Sequence, residues 1–422
     1  MVSVLENIDF NQLSSICFSD LTPSFLFGAA GITTISVLSG LHLHLCNLMK
    51  IGVQKRKRKK QYMKAVVIRS YSGVSSIEVR NDLSVPRVLE KNEVLIKVIA
   101  ASFNDIDLKI TRGYGRAIRS HLRKYNRHAN DESTIILGRE CAGIVLDAGT
   151  EVETVCKGDE VWAFSAYCME GLMAEYVVVT EDRVTIKPKN LTFEEAASLP
   201  FTAIQVWNAV SHQAQLSSTS ASGKRVLVHA GNSAVGLFAM QLLKSWDADV
   251  TTTVPTAGLP MCHELGANDI IVYTVTDFET ELRKRQRFEL VINTIGSVIH
   301  DLCVDICRPG GKIITFVTTP ILSDKFGVFT GSLFALSVQA IAWIKKIKHG
   351  IFQFRWDNLS YDKEYLLRTV QLAEDRKVLP IIERTYEIND AVSGFHQLAQ
   401  FENVGKMVLR LSQQENARYI MS

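Results

Sequence analysis

Residues 226–246 constrain the fold more than any other part of the chain. They read VLVHAGNSAVGLFAMQLLKSW: an apolar run, a turn of small residues, and an apolar helical pattern. A buried strand that leads through such a turn into a helix is typical of nucleotide-binding α/β folds. Two positions at which these turns usually carry glycine hold Ser233 and Ala234, whereas Gly231 and Gly236 are present. The stretch therefore predicts a nucleotide-binding turn with altered glycines.

The residues that follow repeat the alternation of strand and helix. Apolar strand patterns lie in DVTTTV, DIIVY, FELVINTI and GKIITFV, with helical or polar segments between them. This alternation predicts a parallel, doubly wound sheet. In such sheets a pyrophosphate binds at the N-terminus of the first helix, where unpaired N–H groups and the helix dipole favour an anion. The residues expected to hold the cofactor there are Asn232, Ser233, Ala234, Val235 and Gly236.

The second strand of this region ends without an acidic residue. Sheets that bind NAD normally carry Asp or Glu about 20 residues after the glycine turn, where it binds the ribose hydroxyls. Here the strand reads VTTTV at residues 250–254 and is followed by Pro255 and Thr256. NADPH is therefore favoured over NADH. Further cofactor candidates are Thr256, His263 and Tyr273 around the adenosine, and Asn293, Phe316 and Val317 at the ends of the next two strands.

The first 62 residues differ from the rest of the chain. Residues 21–49 contain no Asp, Glu, Lys or Arg, and a run of six basic residues follows at 55–60. The uncharged stretch is long enough to cross a bilayer as a helix, which predicts a membrane anchor; a buried or disordered leader is the alternative. The basic flank would keep the rest of the chain on the cytosolic side. A matrix transit peptide would instead be rich in Arg and poor in acids.

Charge and cysteine content exclude two classes of function. A formal net charge of +3 does not indicate a nucleic-acid-binding protein, because the basic run alone exceeds that excess. The eight cysteines form no CxxC pair and no metal-ligand spacing, so free thiols and no metal site are expected.

The first half of the globular part has the pattern of a β-rich domain. Short strands with Gly and Asp turns are indicated by KAVVIR, EVLIKVIAA, ILGRECAGIV, GDEVWA and AEYVVV. Among and after them, in order, stand AASFNDIDLKITRGYG, AASLPFTAIQVWNAV, the nucleotide turn, ELGANDIIVY and DAVSGFHQLAQFENVGKMVLRL. In these motifs the chain resembles the medium-chain dehydrogenase/reductase superfamily in its zinc-free quinone oxidoreductase branch. Within that branch it is similar to the mitochondrial reticulon-interacting NADPH oxidoreductases over residues 63–412.

The resemblance implies an α/β fold in which a GroES-like, β-rich partial barrel is joined to a doubly wound Rossmann domain, behind the N-terminal hydrophobic anchor. It also implies hydride transfer to a quinone or enone-type acceptor, a link to mitochondrial ubiquinone metabolism and oxidative stress, reticulon-type or ubiquinone-pathway partners, and a homodimer. The expected segments are an anchor with its basic flank at 1–62, a GroES-like catalytic domain at 63–194, a Rossmann NADP-binding domain at 195–344, a return to the catalytic domain at 345–412, and a tail at 413–422.

The resemblance also suggests catalytic residues. Asn104 and Asp107 match polar cleft positions of the family, and Tyr114 is a candidate to donate a proton or to stack on a ring. The structural alternatives are a helix cap, a structural acid and packing, respectively. Zinc-dependent relatives carry Cys and His where this chain has Asn104 and Arg139, and Arg cannot bind a metal, so no zinc is expected. Thr202 and Gln205 are expected to line the cofactor cleft.

Two functions remain open from the sequence. The first is a zinc-independent, NADPH-dependent quinone oxidoreductase, anchored in the mitochondrial outer membrane and facing the cytosol, with the matrix as the alternative location. The second is a catalytically weak nucleotide-sensing or interaction protein at the mitochondrial surface. Without a metal Lewis acid, the first function needs an acceptor that is already prone to accept hydride.

Overall fold

The computed structural model describes residues 61–124, 134–316, 324, 353–356, 362–400 and 403–412. The expected anchor at residues 21–49 lies outside this part of the chain. Residues Tyr62–Ser422 belong to one compact unit. Its first elements are β1 (Tyr62–Ile68), β2 (Ile77–Ser84), β3 (Glu93–Ser102), α1 (Asp105–Thr111), α2 (Arg116–Arg123), β4 (Ile135–Ile136), β5 (Glu140–Ala148), β6 (Glu160–Phe164), β7 (Tyr176–Thr180), β8 (Val184–Ile186), α3 (Phe193–Ala196) and α4 (Pro200–Trp207).

A π-helical segment, Asn208–Gln213, continues α4. The remaining elements are β9 (Arg225–His229), α5 (Ala234–Lys244), β10 (Asp249–Val254), α6 (Leu259–Glu264), β11 (Asp269–Val272), α7 (Phe278–Arg283), β12 (Phe288–Asn293), α8 (His300–Ile306), β13 (Cys307–Thr315), β14 (Gln353–Trp356), α9 (Lys363–Glu374), β15 (Ile382–Glu387), α10 (Ala391–Leu398) and β16 (Lys406–Arg410).

The first lobe is a partial barrel of two sheets. A three-stranded sheet has the order β2-β1-β4, and a larger sheet runs β15-β16-β3-β5-β6-β8 with β7 paired to β3. Strand β16, near the C-terminal end, lies antiparallel to β3, so the chain returns to this lobe after leaving it. Because β3 is flanked by β5, β7 and β16, its residues are almost entirely buried.

The second lobe is a parallel sheet of the order β11-β10-β9-β12-β13-β14. Strand β9 is central and is buried on both faces: Val226 and Val228 pack with Leu237 of α5, whereas Leu227 packs with Leu282 of α7 on the other side. A continuous apolar run is what a strand covered by helices on both faces requires. The expected GroES-like barrel and doubly wound Rossmann sheet are thus confirmed.

Candidate functional site

The turn between β9 and α5 is capped by its own serine. Ser233 is the N-cap residue of α5: its Oγ accepts a hydrogen bond from Gly236 N at 3.1 Å and donates one to Ala230 O at 2.7 Å. The hydroxyl therefore makes its hydrogen bonds inside the turn, although the sequence analysis named Ser233 among the residues expected to hold the cofactor. The first amides of a helix have no partner within it, so Ala234 N and Val235 N are candidates to bind an anion.

The two glycines that the turn keeps are the two that its packing requires. A Cβ on Gly231 would lie 2.1 Å from Thr252 Oγ1, and one on Gly236 would lie 2.4 Å from Ala230 O. The left-handed conformation falls on Ala230, whose φ is 49°. The sequence analysis assigned the altered glycine positions to Ser233 and Ala234 and did not identify Ala230, because the sequence does not show which residue carries the positive φ.

A loop from the C-terminal return holds the turn in place. Gly405 N donates to Asn232 O at 2.9 Å, and Asn232 Nδ2 donates to Asn403 O at 3.1 Å. Ser233 and Gly405 also form an isolated parallel bridge. The Asn232 side chain thus fastens the turn to the loop before β16, while its buried Oδ1 has no hydrogen-bond partner among the described residues.

A buried polar cluster lies beside this contact. Glu140 Oε1 accepts hydrogen bonds from Ser102 Oγ at 2.5 Å, Asn104 Nδ2 at 3.1 Å and Lys406 Nζ at 2.6 Å. Its Oε2 accepts one from Phe201 N at 2.8 Å, at the start of α4. The Lys406 ammonium also donates to Asn104 Oδ1 at 2.5 Å. One carboxylate therefore joins β3, β5, β16 and α4.

This cluster defines the position of Asn104. The residue precedes α1, but its side chain makes no capping bond to the helix. Its amide group donates to Ser102 O and to Glu140, and its oxygen accepts from Lys406. The geometry therefore favours a positioning role inside the cluster over a direct contact with an acceptor. Sequence reasoning missed Glu140 and Lys406 as a pair, because they lie 266 positions apart.

Asp107 lies beneath the LGRE turn and not in an open cleft. Its Oδ1 accepts hydrogen bonds from Gly138 N at 3.0 Å and Arg139 Nε at 3.2 Å, and both side chains of the ion pair are fully buried. Arg139 also donates to the carbonyls of Ala166 and Met169. Burial raises the pKa of Asp107, against the effect of the guanidinium. This environment is that of a structural acid, the alternative that the sequence left open.

Tyr114 follows α1 and is half-buried. Its ring packs against that of Tyr167 at a centroid distance of 5.4 Å. Tyr114 therefore has the packing role that the sequence left open as an alternative.

A cavity connects the turn to the polar cluster. Its lining includes Thr202 of α4 and Ala234 at the beginning of α5, and Gln205 is half-buried one turn further along α4. The residues that line it are Ser198, Leu199, Thr202, Ala234, Leu237, Phe238, Gln241, Leu379, Ile381, Gly405 and Lys406.

Two of the candidates for adenosine contact, Thr256 and Tyr273, lie at the carboxyl ends of β10 and β11. Thr256 is exposed, and both its N and its Oγ1 lie within hydrogen-bond distance of Thr274 Oγ1, at 3.2 and 2.7 Å. His263 is exposed on α6, and Tyr273 is 44% exposed. The sequence analysis did not select Thr274, although its hydroxyl group pairs with that of the selected residue Thr256.

Asn293 shapes the loop that follows β12. Its Oδ1 accepts hydrogen bonds from Ile295 N and Gly296 N, and its Nδ2 donates to Gly296 O. Phe316 N donates to Asn293 O, which holds the ends of β12 and β13 together. The Asn293 side chain is therefore engaged within its own loop. Val317 lies outside the described residues.

His229 ends β9 as a buried, uncharged side chain. Its Nδ1 lies 3.2 Å from Thr253 Oγ1, and its ring meets Phe278 edge-on. Burial lowers the pKa of His229 to about 4. The imidazole therefore stays neutral at physiological pH directly before the turn, a feature that the sequence did not reveal.

The described residues contain neither a metal-binding group nor a membrane-spanning helix. In that part of the chain no three His, Cys, Asp or Glu side chains come together as a metal-binding group. None of its helices combines the length and hydropathy needed to cross a bilayer.

The barrel with its returning strand, the doubly wound sheet and the capped turn define a two-lobed oxidoreductase fold. Family models agree: residues 90–189 match the alcohol dehydrogenase GroES-like domain, and residues 265–409 match the zinc-binding dehydrogenase family. The chain belongs to the medium-chain dehydrogenase/reductase superfamily, as its motifs indicated.

The chain is similar to three proteins whose names state an activity. The mitochondrial NAD(P)H oxidoreductase RTN4IP1 of Danio rerio is 30% identical over 84% of this chain and 92% of its own length. The chloroplastic NADPH-dependent alkenal/one oxidoreductase of Arabidopsis thaliana is 32% identical over 61% of this chain and 64% of its own length. The structure of the quinone oxidoreductase from Coxiella burnetii matches with a TM-score of 0.69 at 26% identity, covering 83% of this chain and all of that one.

Proposed function

We propose that this protein is an NADPH-dependent oxidoreductase that reduces a quinone or an α,β-unsaturated carbonyl without catalytic zinc. The observation that carries the proposal is the turn before α5, because Ala234, the first residue of that helix, lines the cavity between α4, α5 and β16. The names of the three relatives, which include NAD(P)H, alkenal/one and quinone oxidoreductases, agree with it.

The residues present suit a dinucleotide. The N-terminus of α5 favours a pyrophosphate, because its amides and dipole attract an anion. Exposed apolar side chains follow the neighbouring strands β10 and β11 and suit an adenine ring: Leu259 lies after β10 and Tyr273 after β11. No carboxylate follows β10, and the Thr256–Thr274 pair offers hydroxyls there, which favours NADPH over NADH. The nicotinamide, when bound, supplies the hydride.

The protein's own part is orientation and proton handling. The Glu140–Lys406 pair holds Asn104 and the start of α4 in fixed positions beside the cavity, which keeps the floor of the site rigid. The Tyr114 hydroxyl is the proposed proton donor to the reduced oxygen. Zinc independence rests on donor chemistry: the Asn104 amide is engaged in the cluster, and the Arg139 guanidinium is paired with Asp107 and has no lone pair to offer a metal.

The cellular context is proposed on the relatives and on the N-terminal sequence. The protein is mitochondrial, residues 21–49 anchor it, and its globular part faces the cytosol. A homodimer, a reticulon-type or ubiquinone-pathway partner, and a role in ubiquinone metabolism belong to the same proposal. Protease treatment of intact mitochondria tests the orientation: digestion of the globular part supports it, and full protection contradicts it in favour of the matrix.

Turnover tests the reaction. The full chain should oxidise NADPH in the presence of quinones or enones, and NADH more slowly. Tyr114→Phe should lower kcat while leaving the dissociation constant for NADPH unchanged, and Tyr167→Phe is the matched control in the same ring pair. Binding of NADPH without turnover on any acceptor would instead support the nucleotide-sensing function, and absence of binding would refute both.

A further inference from the structure

A second cavity lies at the amino ends of the parallel strands, at the edge of the sheet opposite to the nucleotide turn. Its volume is about 200 Å³, and its walls come from residues 214–220, after the π-helical segment, and from the amino ends of β9, β12 and β13. In the described part of the chain it shares no lining residue with the cavity at the start of α5. Because ligands of doubly wound sheets bind at the carboxyl ends of the strands, this cavity is separate from the proposed dinucleotide site.

An irregularity in β13 forms part of the wall. One residue of β12, Glu289, is opposed by four residues of β13, 308–311, between regular pairs of the two strands. These four residues read RPGG, and Gly310 has a φ of 76°, which glycine adopts without strain. The RPGG segment therefore leaves the regular ladder at the cavity, which both Arg308 and Gly310 line.

The charged side chains of the lining are mostly cationic. Among the described residues, three cations and one carboxylate line the cavity, which gives a net charge of +2: Lys224, Arg308, Lys312 and Glu289. Arg308 Nη1 donates to Glu289 Oε1 at 2.9 Å, so these two charges offset each other. Lys312 Nζ donates to an uncharged acceptor, Ala214 O, at 2.8 Å. The Lys224 side chain is half-buried and forms no hydrogen bond or ion pair with any described residue.

The rest of the lining is partly apolar and suits an organic group. Ala214, Leu216 and Leu290 belong to it, and Ser220 adds a hydroxyl. A phosphate monoester carries about −1.5 to −2 charges at pH 7, which matches a lining charge of +2, whereas a single carboxylate carries one negative charge. The combination of charge and apolar surface therefore favours a phosphate that is attached to a small organic group.

We propose that this cavity binds a small phosphate monoester, with its phosphate among Lys224, Arg308 and Lys312 and its organic group against the apolar lining. Hydrogen bonds from Lys and Arg to phosphate are roughly twice as strong as those between neutral groups. Lys224 directly precedes β9, whereas the other two cations belong to β13, so the donors approach a tetrahedral phosphate from different strands. The site goes beyond the proposed function and does not depend on it.

Calorimetric titration of the full chain with phenyl phosphate at about pH 8 tests the proposal, because this compound is then a dianion. Phenyl sulfate, which has a similar shape and one charge less, should bind at least about fivefold more weakly. Lys224→Gln should weaken the binding of phenyl phosphate roughly tenfold, because a hydrogen bond between charged groups is lost, whereas Lys224→Arg should retain it. Lys64→Gln is the matched control: Lys64 of β1 is also half-buried, and its side chain has no hydrogen bond or ion pair to the described residues.

Four results would overturn the proposal. The first is absence of phenyl phosphate binding, and the second is equal binding by the wild type and Lys224→Gln, which would place the compound elsewhere on the chain. The third is equal binding of phenyl sulfate and phenyl phosphate, which would show that charge does not select the ligand. The fourth is binding of inorganic phosphate as tight as that of phenyl phosphate, which would assign the site to free phosphate. No NADPH is present in these titrations, so failure of the proposed function leaves their outcome unchanged.

Discussion

Removing either member of the buried Glu140–Lys406 pair should destabilise the protein at least as much as removing both. In Glu140→Gln the Lys406 ammonium stays buried without its counter-ion. In Lys406→Met the carboxylate stays buried but keeps its donors from Ser102, Asn104 and Phe201. Loss of one partner of a buried pair typically costs about 3–5 kcal/mol, because an uncompensated charge remains in the interior.

The double variant should be at least as stable as the less stable of the two single variants. In Glu140→Gln the side-chain amide oxygen can still accept a hydrogen bond from Ser102 Oγ or Phe201 N, and the thioether side chain in Lys406→Met fills a similar volume without charge. If the single losses are about 4 kcal/mol each, independence predicts about 8 kcal/mol, whereas pairing predicts about 4 kcal/mol or less. The coupling free energy should therefore be at least about 4 kcal/mol.

Urea unfolding of the four proteins, followed by tryptophan fluorescence, measures this cycle. A matched surface pair provides the control: Lys91 Nζ lies 2.9 Å from Glu151 Oε1, and both side chains are mostly exposed. Glu151→Gln should change the free energy of unfolding by less than about 1 kcal/mol. If the losses at Glu140 and Lys406 add within about 0.5 kcal/mol, the two residues do not act as a pair and the reasoning is refuted.

Three further predictions concern the turn. Ala230→Gly should raise the free energy of unfolding by about 0.5–1 kcal/mol, because a φ of 49° favours glycine; a loss of stability in urea would contradict the assigned conformation. Ser233→Gly should lower stability by only a few tenths of a kcal/mol, about the cost of Gly at an N-cap, and should keep NADPH affinity within about threefold; a larger loss would show that the hydroxyl binds the phosphate. In the folded protein, burial lowers the pKa of His229 from 6.5 to about 4. As the pH falls, the imidazole is therefore protonated in the unfolded chain before it is protonated in the folded protein. The free energy of unfolding should drop by about 3 kcal/mol between about pH 6.5 and pH 4. His229→Gln should remove that part of the drop, and an unchanged pH profile would contradict the prediction.

Sequence periodicity was sufficient to predict the Rossmann lobe, because a strand buried on both faces reads as an unbroken apolar run. Val226 and Val228 point to one face of the sheet and Leu227 points to the other, and all three are fully buried. The barrel was recognisable from its motifs and not from periodicity, because strands such as β4 contain only two residues. The closing strand β16 was foreseeable only through the family resemblance, since its antiparallel pairing with β3 joins distant parts of the chain.

Site chemistry was predicted less well, because it depends on contacts between distant residues. Asn104 was selected for its position, but its partner Lys406 lies 302 positions away and changes its role. Asp107 was selected as a cleft acid, yet its buried pairing with Arg139 makes it a structural one.

The altered turn remains compatible with a phosphate because capping and packing have separate requirements. Glycine is indispensable where a Cβ would meet the backbone, and the chain keeps glycine at Gly231 and Gly236. At the N-cap the requirement is an acceptor for a helix amide, and serine meets it better than glycine does. Ser233 therefore stabilises the end of α5 without occupying Ala234 N or Val235 N. The replacement of glycine by Ser233 therefore changes how the turn is held, whereas the two glycines that the packing requires are kept.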